Sequence, residues 1–412
     1  MTRSLTLLSW LRTRRAMRRS ARGLAAGRSR LWRSLQAALA KTPALAACAG
    51  QPLARFAITD PAQMRGDYGA WNSVKLSHAE LCALADTAEH GETAQVDSAI
   101  SAGWSSGSGG GARGLFAASP AERADYIGQS LARLLPARAL LSRQRLALHL
   151  RASNALYEET QGGRFAFAHF PLAAQPSETL ERLQDFAPTI LIAPPHRLLA
   201  FARAGGTMPS LRHLFCGSEP ISPAETRFLA AHFGIRPRSI YQATEGFLGA
   251  ECEHGHLHLN DHALEIELEP VPGTQGFRPI ITDLRRTTQP IVRVRGDDFL
   301  ELDPHPCACG YAGRVIRPPQ GRVSDIWRFG DRAVTPADVV RALDPILGAQ
   351  QDWQALATRE EVTVRVSPHS SDALGDQAVA ALRGLADRPV DLVRDLSSWA
   401  GPKRRRVVWT NG

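Results

Sequence analysis

Between Ser105 and Gly114 the chain reads SSGSGGGARG. So many glycines cannot hold a helix or strand interior, so the stretch is expected to be a loop. Its hydroxyls and converging backbone N–H groups suit phosphate oxygens, and Arg113 adds a cation. A flexible linker is the competing reading of such a composition. The spacing is not GxxxxGK[ST], which disfavours a P-loop NTPase. Five residues on, Ser119-Pro120-Ala121-Glu122 carries an N-cap, a proline and a glutamate, the start signals of a helix expected to run toward Leu135.

Beyond that loop, helix and strand signals alternate. A strand is expected near 164–170, a helix near 176–186, a short apolar strand at Thr189 to Ala193 and another at Leu211 to Cys216. This is the pattern of an α/β fold with a largely parallel sheet. From Gly249 to Asp303 short strands dominate, giving a β-rich subdomain with strands at Leu264 to Leu268, Pro279 to Thr282 and Ile291 to Val294. Pro318-Pro319-Gln320-Gly321 reads as a stiff hinge. After it come a helix from Pro336 to about Ile346, a strand Val362 to Val366, a helix Asp376 to Leu385 and a strand Val390 to Leu396, a small α+β domain. Residues 60–100 are assigned only loosely, to helices and connections.

With 412 residues the chain is long enough for more than one domain, and 44% hydrophobic with 22% charged residues is ordinary globular composition. No apolar run reaches the roughly 20 residues that span a bilayer. The net charge of +9 is unevenly placed. Residues 1–59 hold twelve Lys and Arg and no acidic residue, so they carry +12 and the remainder 9 − 12 = −3. That basic arm is expected to be an amphipathic helix docked through its Leu and Trp residues; peripheral contact with acidic lipid, nucleic-acid binding and targeting are the other readings. Six cysteines without a secretory signal argue for a reducing compartment, the cytoplasm, rather than a disulfide framework.

Four further segments join the loop: Gly217-Ser218-Glu219-Pro220 after an apolar strand, Tyr241-Gln242-Ala243-Thr244-Glu245, Arg293-Val294-Arg295-Gly296-Asp297-Asp298, and Gly321-Arg322-Val323-Ser324-Asp325. With Gly401-Pro402-Lys403-Arg404-Arg405-Arg406-Val407 near the C-terminus, their order and spacing resemble the adenylate-forming superfamily. The resemblance is to its short branch of phenylacetate:CoA ligases and deazaflavin-coenzyme-adenylylating synthetases. It covers roughly residues 60–412 and implies a large ATP- and acid-binding domain over 60–322 and a small mobile domain over 323–412, behind the basic arm 1–59.

The resemblance implies a role for each matching residue. Ser105, Ser106, Gly107, Ser108, Gly110 and Arg113 would hold ATP phosphates, with Ala112 and Arg113 in place of the family's Pro and Lys. Gly217, Ser218 and Glu219 would line the adenine pocket, with Tyr241 packing on adenine. Thr244 would contact phosphate and Glu245 would help hold Mg²⁺. Asp298 would bind the ribose hydroxyls, Arg322 the nucleotide, and Asp325 would be the pivot between domains. Lys403 would be the catalytic lysine. Gln242 and Asp297 depart from glycines of the family pattern.

Cys252, His258 and the pair Cys307 and Cys309 are suited by residue type to a tetrahedral structural Zn²⁺, and the phenylacetate:CoA ligase branch shows a similar arrangement. His254 and His256 are alternative ligands. Phe167 and His169 alternate along the strand near 164–170 and are candidates for the acid pocket, although core packing explains such aromatics equally well.

The reading is therefore ATP-dependent activation of a small carboxylic acid, aromatic by preference, as acyl-AMP. The acyl group would pass to CoA or to the phosphopantetheine thiol of an acyl carrier protein. Two alternatives stand beside it: AMP transfer to a phenolic hydroxyl, and a non-catalytic nucleotide- or nucleic-acid-binding protein.

Overall fold

Six helices of the protein begin at a proline, whose fixed φ suits the first helical position and whose missing N–H would have had no helical partner there. Four of these also carry reciprocal capping boxes: Asp60 with Gln63, Ser119 with Glu122, Ser222 with Glu225, and Thr335 with Asp338. The computed structural model describes residues 2–90, 99–105, 113–150, 164–396 and 404–410. Its helices are Thr2–Met17 (α1), Ala21–Leu39 (α2), Pro61–Gly66 (α3), His78–His90 (α4), Pro120–Leu134 (α5), Pro176–Phe186 (α6), Pro195–Arg203 (α7), Pro223–Phe233 (α8), Pro336–Leu347 (α9) and Asp372–Ala386 (α10).

Ser101–Trp104 (β1) and Leu115–Ala118 (β2) pair as an antiparallel hairpin. Gln144–Leu148 (β3), Phe165–His169 (β4), Ile190–Ala193 (β5), His213–Cys216 (β6) and Arg238–Ala243 (β7) then run parallel in the order β4-β3-β5-β6-β7. The chain continues through Gly246–Glu251 (β8), Leu257–Leu259 (β9), a three-stranded antiparallel sheet of Leu264–Pro270 (β10), Phe277–Asp283 (β11) and Ile291–Arg295 (β12), and Val315–Ile316 (β13). Strands β8, β9 and β13 extend the main sheet antiparallel beyond β7, to eight strands among the described residues.

The parallel strands are buried on both faces, as helix-covered sheets require. Leu191 and Leu214 join Leu183 of α6 and Leu198 of α7 in one layer. Their neighbours Ile190, Ile192 and Phe215 join Leu134 of α5 on the other, the two-residue alternation of a strand.

The small domain has a hairpin of Trp327–Phe329 (β14) and Arg332–Val334 (β15) and a second sheet of Trp353–Ala357 (β16), Val362–Val366 (β17), Val390–Val393 (β18) and Val407–Trp409 (β19), ordered β18-β17-β16-β19. Trp327 and Trp353 are fully buried with Leu343, Val364 and Leu382, and each such aromatic contributes roughly 2–3 kcal/mol through area burial. The last expected strand ends at Val393 rather than Leu396.

The basic arm forms two helices, not one, and both are docked. Helix α2 seats Leu35 and Leu39 against Phe56 and Val292, and Arg28 pairs with Glu265 at 2.6 Å. Helix α1 crosses α5 at Gly128, where a Cβ would stand 2.5 Å from the Thr6 carbonyl and 2.6 Å from Ser9 Cβ. Beside it the Ser9 hydroxyl donates to Asp125 Oδ1 at 2.7 Å. Only glycine permits this approach. Gly128→Val is expected to release α1 from α5 while the sheet stays folded, so limited trypsin digestion should cut between Arg12 and Arg22 at least about tenfold faster; an unchanged rate would mean that α1 is held elsewhere.

Candidate active site

A cavity of about 850 Å³ opens at the carboxyl ends of β3, β5 and β6, where Leu150, Ile192 and Cys216 to Ile221 reach its wall. Strand order reverses there. The chain passes from β3 outward to β4 and returns on the far side of β3 as β5, the kind of crevice in which open α/β sheets bind ligands.

The glycine-rich segment is the connection of the β1–β2 hairpin, and its base is closed. The Ser105 N–H donates to the Gly114 carbonyl at 2.7 Å, the Gly114 N–H donates to Ser105 Oγ at 3.0 Å, and Arg113 Nε donates to the Ser105 carbonyl at 2.9 Å. Arg113 also pairs with Glu89 at 2.7 Å and lies over the Trp104 ring. A Cβ on Gly114 would meet the Thr244 side chain at 3.0 Å, so glycine lets the hairpin close on Thr244. Ser106, Gly107, Ser108, Gly110 and Lys403 lie outside the described residues.

Tyr241, Thr244 and Glu245 all face the cavity from the end of β7. The Tyr241 hydroxyl donates to Asp298 Oδ2 at 2.9 Å, and the backbone of Asp298 bridges to Arg322, so three expected nucleotide residues meet. Loss of hydration, reinforced by Asp298, pushes the Tyr241 phenol well above its ordinary value. Burial first, with Asp298 adding, also raises the Glu245 carboxyl. The Thr244 carbonyl accepts from Arg286 at 2.7 Å. Gln242 sits at a β-bulge with φ outside the left-handed region, so the position does not require glycine. Asp297, the other departure, accepts from the Ser324 N–H at 3.2 Å and its hydroxyl at 2.5 Å, which ties the segment after β12 to the segment before β14.

Glu219 follows Ser218, a non-glycine residue at φ 71°. The buried Glu219 carboxylate accepts from the His196 N–H at 2.9 Å and from the Arg404 N–H at 2.8 Å. Arg404 Nε lies 3.1 Å from Glu219, and its Nη1 lies 2.9 Å from Glu225 and 3.4 Å from Asp352. Arg406 also pairs with Glu225 and stacks over Trp353, while Arg405 pairs with Asp325. Burial opposes ionisation of Glu219 and Glu225, but the arginines outweigh it and hold both carboxyls below the ordinary range. At Asp325 burial prevails over Arg405 and the carboxyl is raised.

Phe167 and His169 do not line the cavity. They sit on β4, the edge strand, where Phe167 packs beside Leu146 and Ile190 and His169 Nε2 lies 3.1 Å from the Leu150 carbonyl. The apolar wall is instead Leu150, Ile192, Cys216 and Ile240. Sequence reasoning also missed Arg278 and Arg295 on the rim, and His196, Glu225 and Asp352 around Arg404. Their partners lie up to 181 residues away, and no local signal marks them.

Cys252, His258, Cys307 and Cys309 bring their ligand atoms within 4.8 Å of one another. Cys252 and Cys307 sulfurs are 3.5 Å apart, and Cys309 Sγ is 3.3 Å from His258 Nε2. His258 Nδ1 lies 3.0 Å from the Gly313 carbonyl, so it carries the proton and turns the Nε2 lone pair toward the thiols. His256 lies instead near Asp303, at 3.9 Å. This donor set fits a tetrahedral site, in which sulfurs about 2.3 Å from zinc stand roughly 3.8 Å apart.

No protein-family model matches the chain. It is 25% identical over 244 residues to the phenylacetate-coenzyme A ligase of Thermus thermophilus, which covers 52% of this chain and 55% of the relative. The chain thus matches about half the length of that curated relative. A 2-hydroxyisobutyryl-CoA ligase in the postadenylation state, bound to 2-HIB-AMP, superposes with a TM-score of 0.70 at 16% identity over 96% of this chain and 91% of that one. This is the adenylate-forming ligase fold. The same ligase in its thioesterification state, bound to 2-HIB-AMP and CoA, scores 0.56 at 18% identity over 97% and 92% of the two chains. An anthranilate CoA ligase bound to anthranoyl-AMP scores 0.53 at 16% identity over 77% and 67%.

The acidic groups around Arg404 make domain docking pH-dependent. A carboxyl whose native value is depressed adds stability above its unfolded value, here 4.5, and loses it as pH falls through the native value. Small-angle scattering is therefore expected to show a constant radius from neutrality to about pH 5 and expansion below it. Arg404→Gln should expand the protein already at neutral pH; an unchanged radius in that variant would show that the cluster does not hold the domains together.

Proposed function

We propose that this protein is an ATP-dependent ligase that joins a small carboxylic acid to AMP, releases pyrophosphate, and passes the acyl group to the thiol of CoA. The observation that carries the reading is the convergence of Tyr241, Asp298 and Arg322 with Thr244, Glu245 and the base of the glycine-rich hairpin on one cavity at the strand-order switch. The likeness to ligases crystallised with acyl-AMP supports it.

In this mechanism the nucleotide lies between Glu219 and Tyr241, with its ribose toward Asp298 and its phosphates toward Thr244 and Arg113. The acid enters beside Leu150, Ile192 and Ile240, whose apolar surfaces favour an uncharged, apolar body. Its carboxylate is ionised at neutral pH and attacks the α-phosphorus without a general base. Thr244, Arg113 and Lys403 offset charge that builds on the transferring phosphorus and the departing pyrophosphate. The raised Glu245 carboxyl fits a ligand for Mg²⁺, which when bound would neutralise phosphate charge. Asp325 serves as the pivot about which the small domain turns so that the thiol reaches the adenylate. The cysteine cluster would hold Zn²⁺ as a structural clip between the β8–β9 turn and the segment before β13.

Acid-dependent exchange of labelled pyrophosphate into ATP, run over benzoic, hydroxybenzoic, phenylacetic and short branched acids, is expected to single out one apolar class. Lys403→Ala should reduce exchange by at least about a hundredfold yet still convert a preformed acyl-AMP with CoA. Full exchange by that variant would remove Lys403 from the mechanism, and silence across all acids with ATP bound would remove the carboxylate substrate. Elemental analysis of never-chelated protein should find one zinc per chain, lost in Cys307→Ser with Cys309→Ser; zinc retained by that double variant would place the metal elsewhere.

A further inference from the structure

Helix α1 takes no part in the cavity, and its two faces are inverted relative to an ordinary docked helix. The side packed on α5 is small and polar: Ser9, Thr13 and Ala16 are 2%, 0% and 6% exposed. The opposite side shows Leu7, Leu8 and Leu11 to solvent at 54%, 40% and 36% exposure. These are three of the six large hydrophobic side chains exposed among the described residues, gathered within five positions. At 3.6 residues per turn they fall in one sector of about 100°, which Arg15 continues along the helix and Arg18 just past its end, while Arg3 and Arg12 flank it. All four arginines are exposed, and no acidic residue precedes Asp60.

An apolar strip bordered by unopposed cations fits one class of partner well. We propose that this face of α1 docks on an anionic lipid surface, with the leucines at the boundary between headgroups and acyl chains and the arginines against lipid phosphates and carboxylates. A second copy of the chain would bring the same positive face against itself, which repulsion opposes. A nucleic acid would engage the arginines and leave the leucines unused. Because Leu7, Leu8 and Leu11 lie outside the α1–α5 contact, the face is available while the arm stays docked. The inference does not depend on the reaction proposed above.

The test is co-sedimentation of the full chain with vesicles of phosphatidylcholine alone and of phosphatidylcholine with about one-third phosphatidylserine. Binding is expected to the mixed vesicles, at least about tenfold tighter than to the neutral ones, and to weaken with added salt. Leu7→Ser with Leu8→Ser and Leu11→Ser should lower it at least about tenfold with an unchanged melting temperature, since no core contact is lost. Arg12→Gln with Arg15→Gln and Arg18→Gln should erase the preference for phosphatidylserine. Any of three results would overturn the proposal: equal affinity for both vesicles, undiminished binding by the leucine variant, or a leucine-dependent dimer that forms without lipid. Duplex DNA binding that exceeds vesicle binding and ignores the leucine substitutions would do the same.

Discussion

The interdomain architecture depends on one buried guanidinium. Arg404, just before the edge strand β19, meets Glu219 and Glu225 beside the cavity and Asp352 immediately before β16 with its side chain 8% exposed. Removing one partner from such a set leaves an uncompensated buried charge, which typically costs 3–5 kcal/mol. Glu225 is doubly committed, because it also closes the capping box that starts α8. The helix start and the domain contact therefore stand or fall together. Arg406 adds a second contact with Glu225, while Arg405 pairs with Asp325, so three consecutive arginines, adjacent in sequence to Lys403, all pair with carboxylates.

The cavity itself follows from backbone economy at two places. The hairpin base approaches Thr244 because Gly114 has no side chain, and the sheet leaves a gap where the chain crosses from β4 back to β5. The hairpin base and the Glu219 wall of the cavity thus come from distant parts of the sequence, and a hydrogen bond from the Tyr241 hydroxyl to Asp298 joins the end of β7 to the segment after β12. Asp297 strengthens this join where a glycine would not. Its link to Ser324 fastens the segment after β12 to the segment before β14, so two parts of the cavity wall share a residue.

Much of the α/β core was legible because local chemistry determines it. Ser119-Pro120 starts its helix where the cap signals place it, the helix expected near 176–186 is found there, and Ile190 to Ala193 is the buried strand its apolar run implies. The convergence of Tyr241, Thr244, Glu245, Asp298 and Arg322 on one cavity was legible for a different reason, since glycines and carboxylates at fixed spacing leave a pattern that resemblance can read. The acid pocket was not. Alternating aromatics mark a strand but not which strand lies at the edge, and Phe167 proved to pack beside the core layer on the edge strand β4. Glu225, Asp352 and His196 were invisible because their meaning comes from Arg404, far along the chain.

The arm makes the same point about arginine from the opposite side. Arg28 is spent on Glu265 in holding α2, and the docking face of α1 uses Ser9, Thr13 and Ala16, so little of the arm's charge is consumed by folding. Inside the protein, Arg404 is matched by three carboxylates, because a buried cation without partners would not be tolerated. On α1, Arg15 and Arg18 stand in water beside exposed leucines, where neither charge nor apolar surface gains anything for the isolated chain. Folding alone gives no reason to segregate +12 into the first 59 residues and leave −3 for the rest. A surface that is itself negative and has an apolar interior does.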